Sequence, residues 1–396
     1  MESPAVLLEL GGVIVALAVL ARLAGRLSIP TIPLYLTAGL AFGRGGLVPL
    51  VTAEEFIEIG AQVGLILLLF MLGLEYTAEE LLETIRSHFR LGAFNFVLNF
   101  TPGVLAGLLL GWDAIAAVVL GGVTYVSSSG IVAKLLQDLD RIGNRETPVI
   151  LSVIVMEDLT MALFLPLLAA LIAGGGTLAG LGAGAAAIVA VVAVMLIALR
   201  AHERLSAIVF SHSDEALLLT ILGTTLVIAG IAAELQLSAA VAALLVGIVV
   251  SGEAAEGAHS VLTPLRDLFA AMFFAFFAFG IDPARIPPTL GVAAALAVVT
   301  AVAKFVTGWW GARGIGVGTR GRARAGATLV ARGEFSIAVA GVGVTSAVQP
   351  GLGPLVASYV LLLAVAGPII ARFADPAVEF LIRKELLTAQ PGPPFR

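Results

Sequence analysis

The sequence predicts an all-α polytopic membrane protein. Three observations predict it: the composition, the spacing of the apolar runs, and the side on which basic residues fall. Apolar residues make up 59% of the 396 residues and charged residues 12%, against about 25% charged in a soluble domain. A run of roughly 20 apolar residues crosses a bilayer as a helix, and such runs fill the chain. Thirteen spans are predicted, at 5–24, 29–46, 56–74, 89–112, 114–137, 148–173, 177–199, 214–234, 237–252, 264–281, 289–312, 321–346 and 351–373. They make up one transmembrane domain over 1–379, followed by a polar, Pro-rich cytoplasmic tail over 380–396.

The basic residues orient this map through the positive-inside rule. With the N-terminus outside, eighteen Lys and Arg residues fall in the cytoplasmic loops and tail. Only Arg44 and Arg285 fall outside, while Lys304 and Arg332 lie within spans. The split predicts an odd number of spans, N-terminus out and C-terminus in. Glu2 follows Met1, and no small-residue cleavage site follows the first run, so no cleaved leader is expected.

Span 3 ends in Leu69-Phe70-Met71-Leu72-Gly73-Leu74-Glu75, and span 10 ends in Phe276-Phe277-Ala278-Phe279-Gly280-Ile281-Asp282. The polar interruption from Thr124 to Gly130 in span 5 has a counterpart from Arg332 to Ser336 in span 12, at nearly the same offset. Repeat one (1–173) and repeat two (214–373) are therefore expected to be related, with 177–199 as a linker helix. Equivalent positions lie an odd number of spans apart, so the repeats are inverted, an arrangement common in secondary transporters.

The residues that carry chemistry are those out of place in lipid. A charge at the bilayer centre costs about 2.5–3.5 kcal/mol on insertion scales, so such residues mark ion pathways. Glu157 and Asp158 lie about ten residues into span 6, and the apolar run continues to Ile172. Neighbouring helical residues point about 100° apart, so the two carboxylates face different surroundings. Lys304 in span 11 needs a carboxylate partner, with Glu157 first and Asp158 second. Span 5 carries Gly121, Gly122, Thr124 and Ser127-Ser128-Ser129-Gly130, a composition that suits a broken helix. Unwound carbonyls and the hydroxyls of Thr124, Ser127 and Ser128 can there face a cation. Span 12 carries Arg332-Gly333-Glu334, two charges around a glycine, which suits a second break. Arg332 and Glu334 are expected to balance charge more than to bind the ion. Gln62, Asn95 and Asn99 are expected to form interhelical hydrogen bonds.

Other patterns are discounted. Gly316-Val317-Gly318-Thr319-Arg320-Gly321 fits a dinucleotide fingerprint but has no preceding strand. The absence of cysteine excludes thiol chemistry and disulfides. All four histidines fall outside the spans, which argues against a serine–histidine hydrolase in the membrane. A uniporter or channel would need a continuous polar path, whereas the chain shows one short polar layer. No cofactor and no nucleic acid are expected.

These residues carry a resemblance to the bacterial monovalent cation:proton antiporter-2 family across nearly the whole chain. The matching stretches are Leu68–Glu75, Ser127–Leu136, Gly143-Asn144-Arg145-Glu146-Thr147-Pro148, Glu157-Asp158-Leu159 and Arg332-Gly333-Glu334-Phe335. The resemblance implies a multi-pass protein of the bacterial inner membrane that exchanges K⁺ or Na⁺ for H⁺. It implies crossing broken helices in spans 5 and 12, Asp158 as the cation and proton carrier, and Lys304 as the buried basic residue. It also implies a homodimer, with spans 1–3 and 8–10 as scaffold around a moving core of spans 4–6 and 11–13. Sodium-type electrogenic members have two aspartates where this chain has Glu157-Asp158, and glutathione-gated members have a glutamine first. The stretch from Asn144 to Pro148 resembles the potassium branch, so K⁺ is favoured and Na⁺ is the alternative. Members of that branch carry a C-terminal regulatory domain. None follows before Arg396, so the expectation is a separate cytoplasmic regulatory subunit or a shortened chain.

Overall fold

A computed structural model describes residues 4–27, 31–43, 46, 54–74, 78–173, 189, 213–234, 239–250, 253–279 and 281–384. The regular secondary structure of the described residues is all helical, without strands. The helices are α1 (Pro4–Leu27), α2 (Ile32–Phe42), α3 (Glu54–Leu74), α4 (Ala78–Leu109), α5 (Ala114–Tyr125), α6 (Ser129–Asp138) and α7 (Thr147–Ala173), and then α8 (Asp214–Glu234), α9 (Ala239–Val249), α10 (Glu253–Phe279), α11 (Leu290–Gly314), α12 (Thr319–Thr328), α13 (Glu334–Thr345) and α14 (Leu352–Arg383). Among the described residues, eight helices are long and apolar enough to cross a membrane. The protein is a multi-pass membrane protein.

Each predicted span falls on these helices, apart from 177–199, of which all but residue 189 lies outside the described residues. The predicted spans 5 and 12 are each two short helices with an irregular joint, at 126–128 and 329–333. Three helices run past their predicted ends. α4 begins at Ala78 rather than 89, and α10 at Glu253 rather than 264. α14 continues to Arg383, so residues 380–383 are helical. Hydropathy sees only the part of a helix that lies in lipid, whereas Ala, Leu, Glu and Arg propagate helix into water equally well. α14 has 32 residues, roughly 48 Å at 1.5 Å per residue, against about 30 Å of hydrocarbon.

The chain forms two compact units, each assembled from separated stretches. The first takes 1–14, 50–86 and 159–277. It is built around α3, α8, α9 and α10, with Leu67, Phe70, Met71, Ile221, Ala243 and Leu262 in one apolar cluster. The second takes 15–49, 87–158 and 278–396. It holds α2, nearly all of α4 beyond residue 87, both broken helices, α11 and α14. α2 thus groups with the broken helices and not with α3, where the expected division had put it.

In the second unit, charged groups join the segment 139–146 to α12 and α14. Arg324 donates to Glu146 at 2.6 Å and Arg141 to Asp375 at 3.1 Å, and Asn144 donates to Glu146 at 3.1 Å. Burial pulls the Arg141 guanidinium below the usual arginine range, with Asp375 opposing. The stretch from Gly143 to Pro148 is in this way a structural joint.

α4 reaches α5 through Gly103. A Cβ there would stand 2.3 Å from both the Leu120 carbonyl oxygen and Thr124 Oγ1. Gly103→Val is therefore expected to lower stability by about 1–3 kcal/mol through overpacking, read as a drop in the thermal midpoint in detergent. An unchanged midpoint would mean that α4 does not lie this close.

Candidate functional site

The first break opens where α5 ends. Asp113 caps the start of α5 by accepting from the Ala116 amide at 2.8 Å, and the helix runs to Tyr125. Val126 is then extended, at φ −89° and ψ 135°. Ser128 starts the next helix, accepting from the Ile131 amide at 3.2 Å, a serine N-cap. The second break runs from Leu329 to Gly333. The two breaks face each other. The Ser128 amide donates to the Ala331 carbonyl at 3.0 Å, and Ser127 Oγ donates to the Leu329 carbonyl at 3.0 Å. Ser336 Oγ donates to the Val123 carbonyl at 2.8 Å. Gly333 makes this approach possible, since a Cβ on it would stand 2.5 Å from Ser128 Oγ.

Four half-helix ends thus converge in a buried place, and each exposes unpaired backbone groups with a partial charge. Arg332 is fully buried and serves the two C-terminal ends. It donates to the Leu329 carbonyl of its own break at 3.2 Å, the Val330 carbonyl at 3.1 Å, and the Thr124 carbonyl of α5 at 3.2 Å. Its Nε donates to Tyr359 Oη at 3.1 Å, which lies 2.9 Å from Thr300 Oγ1. Glu334 serves the two N-terminal ends. It stands in the first turn of α13 and accepts from Ser128 Oγ, from Ser129 Oγ at 3.0 Å and from the Gly130 amide at 3.0 Å at the start of α6. The two charges around Gly333 thus each lie against two half-helix ends. Arg332→Met is expected to destabilise the protein by about 2–4 kcal/mol, since buried carbonyls lose their donors and two negative helix ends lose their counter-charge. Glu334→Gln should cost less, because a glutamine oxygen still accepts from Ser129 Oγ and the Gly130 amide, while its NH₂ group can donate to Ser128 Oγ. Thermal unfolding of the two variants checks the order.

Beside the breaks lies the ion pair. Lys304 and Glu157 are both fully buried, and Lys304 Nζ donates to Glu157 Oε1. Of the two partners the sequence allowed, Glu157 holds the lysine. Asn95 donates to the same Oε1 at 2.8 Å, and the Ser127 amide donates to Oε2 at 2.6 Å. Both Glu157 oxygens are engaged in this way. Tyr125, the last residue of α5, turns its ring toward Lys304, 5.4 Å from the ammonium to the ring centre. Thr124 Oγ1 donates to the Asn99 carbonyl at 2.9 Å. Asp158, one residue beyond Glu157 on α7, is also buried, at 3% exposure.

Opposed broken helices meeting at membrane depth are a recurrent feature of secondary transporters. Residues 13–375 match the sodium/hydrogen exchanger family, transmembrane region. The chain belongs to this family. Among relatives of this exchanger, the K(+)/H(+) antiporter subunit KhtU of Bacillus subtilis is 32% identical over 375 residues, covering 92% of each chain. The ammonium/H(+) antiporter subunit AmhT of Alkalihalophilus pseudofirmus is 27% identical over 368 residues, again 92% of each. In fold, the exchanger matches the sodium proton antiporter MjNhaP1 of Methanocaldococcus jannaschii with a TM-score of 0.66 at 17% identity, over 96% of this chain and all of that one. The family is one of cation:proton antiporters, transporters rather than enzymes.

Of the predicted site residues, Glu157, Lys304 and Ser127 come into direct contact, and Ser128 meets Glu334. Arg332 reaches the Thr124 carbonyl. Asn95 and Asn99, which the sequence reading expected to form interhelical hydrogen bonds, do so to Glu157, Lys304 and Thr307, and their four-residue spacing puts them on one face of α4. Nothing in the sequence pointed to Tyr359 as the partner of Arg332. Gln62, expected to bond between helices, is exposed on α3.

Proposed function

We propose that this exchanger moves a monovalent cation against protons through one shared site at Asp158, with K⁺ the favoured cation and Na⁺ the alternative. The observation that carries the reading is a buried acidic pair at the crossing of the two broken helices. Glu157 and Asp158 are adjacent and buried on α7, and Glu157 accepts from the Ser127 amide of the first break. Burial disfavours a bare charge, so Asp158 holds either a proton or a cation. If only those two loaded states cross, exchange follows. Thr124, Ser127 and Ser128 supply oxygens near the breaks for a partly dehydrated ion, and Glu157 tunes the site through Lys304. Alternating access comes from rocking of the helices that carry the breaks against a scaffold.

The name of the Bacillus subtilis relative favours K⁺, and the word subunit in it favours a separate regulatory chain. The positive-inside count supports a C-terminus in the cytoplasm of a bacterial inner membrane, and the matched breaks support inverted repeats. The assembly proposed is a homodimer, and mass photometry in native-like lipid should give twice the monomer mass. Proteoliposomes loaded with a pH dye and given K⁺, Na⁺ or ammonium in turn test the function. A K⁺-driven internal alkalinisation larger than that with Na⁺ is expected. No pH change with any monovalent cation would refute antiport.

A further inference from the structure

Asn95 is fully buried on α4, and its amide touches both members of the ion pair. Nδ2 donates to Glu157 Oε1 at 2.8 Å, and Oδ1 accepts from Lys304 Nζ at 3.0 Å. One turn on, Asn99 donates its Nδ2 to Asn95 Oδ1 at 2.9 Å and to the Asn95 carbonyl at 3.0 Å. These bonds decide which way the Asn95 amide points. Flipped, it would set an NH₂ group against the lysine ammonium and the amide of Asn99. Thr307 Oγ1, 3.2 Å from Asn99 Nδ2, steadies the second amide from α11.

Lys304 is therefore held by a carboxylate, an amide oxygen and the face of Tyr125. Glu157 and Asp158 are adjacent on α7, and the lysine ammonium is a point charge on a flexible four-carbon stem. A tethered ammonium next to a second carboxylate acts as a competitor at high local concentration. We propose that Asn95, braced by Asn99, is a positioning residue for exchange: it keeps the Lys304 ammonium on Glu157 and off Asp158, so that the transported cation meets no built-in rival. The inference rests on the reading of Asp158 as the shared site.

The test is a KM-against-rate measurement in proteoliposomes, with K⁺ varied over a wide range. Asn95→Ala should raise the K⁺ KM about tenfold, the worth of one charge-assisted hydrogen bond, with a smaller loss in maximal rate. Asn99→Ala should raise it less, about threefold, since it only loosens the brace. Asn95→Ser keeps an acceptor oxygen and should lie between wild type and Asn95→Ala, which serves if the alanine variant does not fold. Removing the rival should remove the effect. In a Lys304→Gln background, Asn95→Ala should shift KM by less than about twofold. The proposal is overturned if Asn95→Ala and Asn95→Ser lower rate or thermal midpoint at unchanged KM, or if the KM shift persists without Lys304. Asp158→Asn separates the two layers. An inactive Asp158→Asn beside an unchanged KM in Asn95→Ala defeats this inference alone. An active Asp158→Asn defeats the shared site on which it rests.

Discussion

Asp158→Asn is expected to abolish exchange and to leave a folded protein. The substitution keeps size and hydrogen-bonding capacity while removing the charge that a cation needs and the oxygen that a proton needs. Lys304 is held by Glu157 and Asn95, so neutralising Asp158 leaves the lysine its counter-ion. The thermal midpoint should stay near that of wild type, because asparagine matches aspartate in size and shape. Transport of K⁺ against H⁺ should fall to the level of empty liposomes. Wild-type flux in this variant would move the site elsewhere.

The second large effect falls on stability. Lys304→Met leaves Glu157 with its charge and only the neutral donors of Asn95 and Ser127. Glu157→Gln leaves Lys304 without its counter-ion. A buried pair broken from one side typically costs about 3–5 kcal/mol, whereas replacing both partners is often close to neutral. Each single variant should therefore lose several degrees in thermal midpoint, and the double variant should regain much of the loss. A double-mutant cycle reads the coupling directly. If the single effects simply add, the pair seen between α7 and α11 does not operate. The double variant should still exchange, because Asp158 remains.

Much of this was legible in the chain, for physical reasons that differ by element. The lipid-spanning segments were plain because nothing but apolar helix is stable there. The breaks could be placed within a few residues because Gly, Ser and charge do not belong in mid-span. Glu157 could be matched to Lys304 because neither survives alone in hydrocarbon. What the sequence hid follows the same logic. The aqueous ends of α4, α10 and α14 carry no hydropathy signal, so their lengths came out short. Which half-helix end Arg332 and Glu334 serve depends on the crossing in space, which a linear spacing does not contain. Asn95 read as an interhelical hydrogen-bond former without its partners, because an asparagine that bonds two opposite charges has the same sequence signature as one that bonds a neighbouring backbone. The grouping of α2 with the broken helices rests on tertiary contact alone.

The central claim is that cation and proton compete for one carboxylate, and proton release on cation binding tests it most directly. Detergent-solubilised protein in weakly buffered solution is titrated with K⁺, and the change in pH is followed. The account predicts that K⁺ displaces protons from wild type, that the apparent K⁺ affinity weakens up to about tenfold per pH unit where Asp158 is protonated, and that Asp158→Asn releases none. Saturable K⁺ binding without proton release, or equal release from Asp158→Asn, would contradict it.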